Sequence, residues 1–502
     1  MKKQLSKILS CLLVFMLCFS ATWAQIKTLA VKKDFFKGSA DMKSLRLNEN
    51  SLAFMSNLNN KSVEIVGTDN NANKKWSATV EGYLQETVLL GNNLLVLVST
   101  DFTFFTRANS TYKAYLISTD KGTILKEKVL FNGNNEYFTL PYLLVSKDKN
   151  TLTLATRETA MKRNIKIGAG TLAAVYTMKK MSDQSNKVKA FNVLTFDKDL
   201  NERGAISPEL PEGEFIGIQK TINNDMYIAV SENKKGITIS KYLPDSENAV
   251  KSLTEPYSYY SGLLGLAYLN EAITFYADTL TDNTVYICGS FKSNDDYITM
   301  LNKYDFSGDQ HKRFKKTFTK AEVKGMEKAY KPLNKDKEFK DLHLAPAKSL
   351  ELINLVIHEN GYIMILSDNQ INSNVSGPAM RISEGIILYN LDHNMAIRTI
   401  STIPRGFNTA IASTMNVFVK DENLYILASY SNHANFITAR VNCNSGKLED
   451  LQLIEPDKAN STDHADLAHA IFNDKNFIIP VLDAKMGIGK IKNDIQLYQF
   501  SW

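Results

Sequence analysis

The feature that most limits how this chain can fold is a unit that returns along its whole length. Its clearest copy runs from 94 to 131. The apolar run LLVLV (94–98) is followed by YKAYLIS (112–118), the turn Thr119-Asp120-Lys121-Gly122, and a third segment leaving that turn. Asn, Asp and Gly tolerate left-handed backbone, so clusters of them between apolar runs mark hairpins. Runs of the same kind begin at 51, 151, 226, 285, 362, 424 and 477. A further strand precedes most of them, at 140–145, 215–220, 272–277, 352–358, 416–419 and 468–472.

LLVLV and YIMIL (362–366) are apolar at consecutive positions, the pattern of strands buried on both faces. Small antiparallel sheets stacked around an axis bury both faces and leave few open edges. The expected fold class is therefore all-β: a β-propeller of about eight four-stranded blades, with seven as the alternative. Two segments break the rhythm, 157–187 and 319–349. GAGTLAAVYTMKKM in the first and KAEVKGMEKAY in the second predict two short helical insertions. The last unit stops after what reads as its third strand, and 26–36 is strand-like but belongs to no unit. The first strand is expected to complete the last blade and close the ring.

Residues 1–24 read as a bacterial-type export signal: Lys2, Lys3 and Lys7, an apolar stretch at 8–19, then Thr22-Trp23-Ala24 as a cleavage site. Residues 25–502 then form a single propeller domain. The formal charge of +6 falls to +3 once the three leader lysines are removed, which leaves no nucleic-acid footprint. Export implies a periplasmic or extracellular location. No later apolar run reaches the ~18 residues of a membrane span. Tyr498, Phe500 and Trp502 alternate as in the last strand of outer-membrane barrels, yet the apolar runs lack the alternation a barrel needs. Cys288 and Cys443 fall in units that are not neighbours, so they are expected as free thiols.

The turns carry two resemblances. GTDNNANKKW (67–76) resembles the blade turn of quinoprotein-type propellers, where Asp precedes a turn and Trp follows on the outer strand. STDKG (118–122) resembles the Asp-box of sialidase-type propellers, S-x-D-x-G. Both are structural turns in those families, so the resemblance implies blade geometry and no activity.

Candidate chemistry is sparse. No G-x-S-x-G, H-E-x-x-H, C-x-x-C or P-loop occurs, so no catalytic residue is assigned. The densest set of metal-ligand side chains is His464, Asp466 and His469. On a strand, His464 and Asp466 share a face and His469 points away. Asp197-x-Asp199-x-Asn201 opens like a calcium loop but lacks the later Gly and acid, and reads as a hairpin turn. The cofactor expectation is none, with a calcium or transition-metal ion at these places as the alternative. The lysine-rich segment 311–316 reads as a guarded sheet edge. A repeat without a catalytic set points to a binding or scaffolding module for a protein or glycan partner. The alternative is a glycan-active enzyme, hydrolase or lyase, with its site in the central channel.

Overall fold

The apolar runs become the second strands of eight small sheets, each hydrogen-bonded on both sides. The computed structural model describes residues 26–37, 42–102, 110–133, 136–162, 187–232, 236–244, 246–256, 273–278, 280–293, 296–308, 310–318, 350–368, 370–372, 380–409, 415–430, 434–457, 459, 463–473, 476–487 and 490–501. The protein is an eight-bladed β-propeller of four-stranded antiparallel blades. Blade 1 comprises Met42–Asn48, Ser51–Asn59, Ser62–Asp69 and Lys74–Glu81. Blades 2 to 7 repeat this order, beginning at Tyr83, Tyr137, Gly213, Ile273, Leu350 and Met415, with one extra short strand, Gln370–Asn372, paired to the third strand of blade 6. Blade 8 is closed as counting predicts: its fourth strand is Lys27–Lys37, paired with Lys490–Ser501.

Burial follows strand position. The second strand of blade 4, Met226–Glu232, is buried throughout, whereas the fourth strand of blade 1 alternates between buried and exposed. The first strands of neighbouring blades approach one another around the axis. Core clusters bridge adjacent blades, as where Leu94, Val96 and Val98 pack against Ile65 and Trp76. Tyr498 and Phe500 are fully buried in this core, which accounts for the barrel-like alternation at the end of the chain. Cys288 and Cys443 are separate buried thiols.

Two sequence readings need correction. The first insertion does not begin at 157, because the second strand of blade 3 continues to Lys162. Arg157 looks like a strand end but is buried, with its guanidinium 4.9 Å over the Phe215 ring, a contact that offsets its desolvation. The helices expected within 157–187 and 319–349 lie outside the described residues. The strand read at 468–472 is the second correction. The first strand of blade 8 is split into Asp463–Ala465 and Ile471–Phe472 around a 3-10 turn, Leu467–His469. The break faces Pro480 on the second strand, which has no N–H to give to a continuous ladder. Its carbonyl instead accepts the Asp466 N–H at 2.8 Å.

The turns between third and fourth strands share a construction. In blades 1, 3 and 6, Asp69, Asp197 and Asp392 each accept backbone N–H groups from the residues two and four positions later. The residue three positions on, Ala72, Leu200 or Met395, has positive φ and a buried side chain. Asp197 also accepts the Asn201 amide and the Arg203 guanidinium. Burial opposes its ionisation, but the hydrogen bonds from Asn201, Asp199 and Arg203 prevail and hold its carboxyl at about 2. The calcium-like spacing thus closes a turn.

Among the described residues, in six blades this turn receives a side-chain donor from the blade before it. Trp76 Nε1 donates to Thr119 O at 2.9 Å, Lys128 Nζ to Leu200 O at 2.9 Å, and Lys251 Nζ to Phe306 O at 2.7 Å. Lys312 Nζ donates to His393 O at 3.3 Å, Asn390 Nδ2 to Cys443 O at 2.6 Å, and Lys32 Nζ to Asn73 Oδ1 at 2.9 Å. The lysine-rich segment is an edge strand, as expected. It also fastens blades: Arg313 makes a two-pronged pair with the buried Glu255 of blade 4, at 2.6 and 2.8 Å.

Candidate functional site

Connection lengths separate the two faces of the ring. Links from first to second and from third to fourth strands emerge on one face, and the longest of them is 243–250. The other face receives the links from second to third strands and from blade to blade. There the segments 100–110, 163–187, 257–272 and 319–349 all join strand ends. The strand ends that flank both sequence insertions lie on this face, while 163–186, 319–349 and Tyr257-Ser258-Tyr259-Tyr260 lie outside the described residues.

The stems of these segments are fixed. Asp101 accepts hydrogen bonds from Ser99 Oγ, from the Ser110 N–H and hydroxyl, and from the Thr111 N–H, closing the base of 100–110. Burial works against the Asp101 carboxylate, and the Ser110, Thr111 and Ser99 donors outweigh it, so its pKa lies below the usual value. Glu158 and Lys189 pair at 2.8 Å at the base of 163–187, with Lys189 Nζ 3.3 Å over the Tyr137 ring. Loops on rigid stems are the usual place for recognition.

Beneath this face lies a signal the apolar runs conceal. Each second strand turns polar where it nears the long connections, at Ser56, Ser99, Thr156, Ser231, Ser290, Ser367 and Ser429, and at Asp483 in blade 8. All are buried. Reading the residue after each run, rather than the run alone, would have found this layer.

Towards the axis, polar groups tie the inner strands together. Lys43 and Glu86 pair at 3.2 Å between blades 1 and 2. Ser44 Oγ donates to His469 O at 2.7 Å, and Asn416 Nδ2 to Ala470 O at 3.1 Å. The split strand of blade 8 is thereby held from both neighbours. Its 3-10 turn brings Asp466 and His469 together, with Nδ1 2.7 Å from Asp466 Oδ2 and both side chains partly exposed. His469 therefore does not point away from Asp466 as the strand reading expects, because the chain leaves the strand after Ala465. His464 remains on the strand, opposite Leu482. Among the described residues no three His, Cys, Asp or Glu side chains form a group able to hold a metal ion.

The fold and its two unlike faces define a β-propeller with a loop-bearing side and a turn-bearing side. No family model matches the sequence, and no curated protein matches it. Among solved structures the chain is similar to the WD40 domain of SCAP from fission yeast, at 9% identity over 93% of this chain and 97% of that one, with TM-score 0.42. It is also similar to the polysaccharide lyase Uly1 (11% identity, 84% and 90% covered, TM-score 0.40) and to the dihydro-heme d1 dehydrogenase NirN (8%, 95% and 75%, 0.43). These likenesses concern the fold alone. Among the described residues no helix is long and apolar enough to cross a membrane.

Proposed function

We propose that this chain is a binding module whose loop-bearing face engages a protein or glycan partner outside the cytoplasm. The observation that carries the reading is the segregation of the four long connections onto one face, over stems fixed by Asp101 and by the Glu158–Lys189 pair. Turns pinned blade to blade leave the opposite face little to vary. The leader-like residues 1–24 support export, to the periplasm or beyond it. The test replaces 163–187 and 319–349 by short Gly/Ser links, singly and together. Binding of the full chain to a glycan array and to purified envelope proteins is then measured. Loss of about tenfold or more in affinity is expected from the shortened chains, while charge reversal at Lys74 on the turn-bearing face leaves binding unchanged. Equal binding by the doubly shortened chain would end this reading.

The Asp466–His469 pair favours a second reading, a glycan-active enzyme working at the channel. With its proton on Nδ1 donated to Asp466, the imidazole keeps Nε2 as a base. A transition-metal ion at this pair would need further ligands. On a panel of acidic and neutral polysaccharides, His469→Gln is expected to abolish turnover and Asp466→Asn to lower it by about 100-fold or more. No turnover by the unaltered chain, or full activity in His469→Gln, removes the enzyme reading.

A further inference from the structure

The seam between blades 3 and 4 differs from the six at which a side-chain donor reaches the outer turn of the next blade; in blade 8 the third and fourth strands are not joined by a turn. Between blades 3 and 4, among the described residues, no side chain of blade 3 reaches a carbonyl of the turn 243–250. The link is the Ser207 N–H to the Glu247 carboxylate, at 3.4 Å. Beside it lies a cavity of about 130 Å³, opening between the blades on the turn-bearing side. Its polar wall includes Thr151, Thr153, Thr195 and Lys220, and its apolar wall includes Leu144, Val193 and Met226.

Lys220 ends the first strand of blade 4 and donates to Thr153 Oγ1 at 3.0 Å. Its neighbour in the same blade, Lys241, pairs with Asp225 at 2.7 Å. Among the described residues Lys220 has no such carboxylate. The acid that acts on it from a distance is Asp148, whose own oxygens are taken by Ser146 and Asn150. Burial accordingly pushes the Lys220 pKa down, and only Asp148 opposes this. A half-buried cation with one neutral partner is costly unless something completes it.

We propose that the cavity between blades 3 and 4 binds a short-chain monocarboxylate, its carboxylate on Lys220 and Thr153 and its tail against Leu144, Val193 and Met226. The volume holds about four waters, at ~30 Å³ each, so the ligand has only a few heavy atoms. One ammonium beside apolar walls suits a single charge with a hydrocarbon tail. A phosphate would need more donors and more positive charge. The site stands apart from the loop-bearing face, so failure of partner binding there leaves it intact.

The experiment is calorimetric titration of the full chain with butyrate, acetate and inorganic phosphate. Butyrate is expected to bind one-to-one and more tightly than acetate, with no competition from phosphate. Lys220→Met should weaken butyrate by about tenfold or more, and Val193→Phe should do the same by filling the tail space with Lys220 still present. Far-ultraviolet circular dichroism and melting curves report whether each variant is folded, and either folded variant decides. No saturable heat with butyrate, unchanged affinity in a folded variant, or phosphate binding as tightly as butyrate overturns the proposal.

Discussion

Trp76→Ala is expected to cost about 3–5 kcal/mol of folding stability, the range for removing a large buried aromatic. Trp76 is 8% exposed on the fourth strand of blade 1, and its indole lies between two glycines. A Cβ on Gly67 would come within 2.1 Å of Trp76 Cε2, and one on Gly122, in the turn of blade 2, within 2.4 Å of Cε3. The indole N–H fastens the same turn at Thr119. Truncation therefore opens a cavity between blades and leaves the Thr119 carbonyl without this donor. A double-mutant cycle separates these effects. Gly122→Ala suffers both the clash with the indole and the strain of φ +68°. Once the indole is gone, only the backbone strain of about 1 kcal/mol remains. The two substitutions should thus be non-additive by more than 1 kcal/mol in urea unfolding. Additive effects, or a cost below 1 kcal/mol for Trp76→Ala, would show that the indole does not join the blades.

This contact also shows how far the sequence could be read. The Asp–turn–Trp stretch at 67–76 and STDKG at 118–122 were legible as two separate blade turns. That they meet was not, because the meeting depends on the rotation from one blade to the next. The same limit applies to Lys128, Lys251 and Lys312, whose partners are carbonyls in another repeat. Second strands were the easiest elements to recognise, since burial on both faces writes an unbroken apolar run. First strands are half-buried and bulged, as between Phe215 and Gly217 or Leu352 and Asn354, so their pattern is fainter. The Asp466–His469 pair was out of reach of period-two reasoning, although Pro480 within FIIPVL (477–482) was a visible reason to expect a break opposite it. The cavity beside Lys220 had no local signature. Its walls come from strands and turns of two different blades.

Deleting residues 26–37 is expected to remove most of the ~5–15 kcal/mol that holds a domain folded, because the ring closes through this one strand. The strand pairs with Lys490–Ser501 from Lys27 opposite Ser501 to Lys37 opposite Asp494. It also reaches both neighbouring blades. Phe35 packs edge-on against Phe54 of blade 1 at 6.0 Å, and Lys32 Nζ donates to Asn73. On the other side the Ile26 N–H donates to Gln452 Oε1 at 3.3 Å, and Thr28 Oγ1 accepts the Asp457 N–H at 3.2 Å. Without the strand, the backbone of 490–501 becomes a bare edge beside a buried aromatic core, a template for aggregation. A shortened chain refolded alone should elute as aggregate and lose its cooperative melt. Adding a synthetic 26–37 peptide during refolding should restore the monomer by completing the sheet. A peptide carrying Val31→Asp should fail, since Val31 packs on the core of blade 8. A shortened chain that stays monomeric and melts within a few degrees of the full one would mean that blades 8 and 1 hold together without the strand.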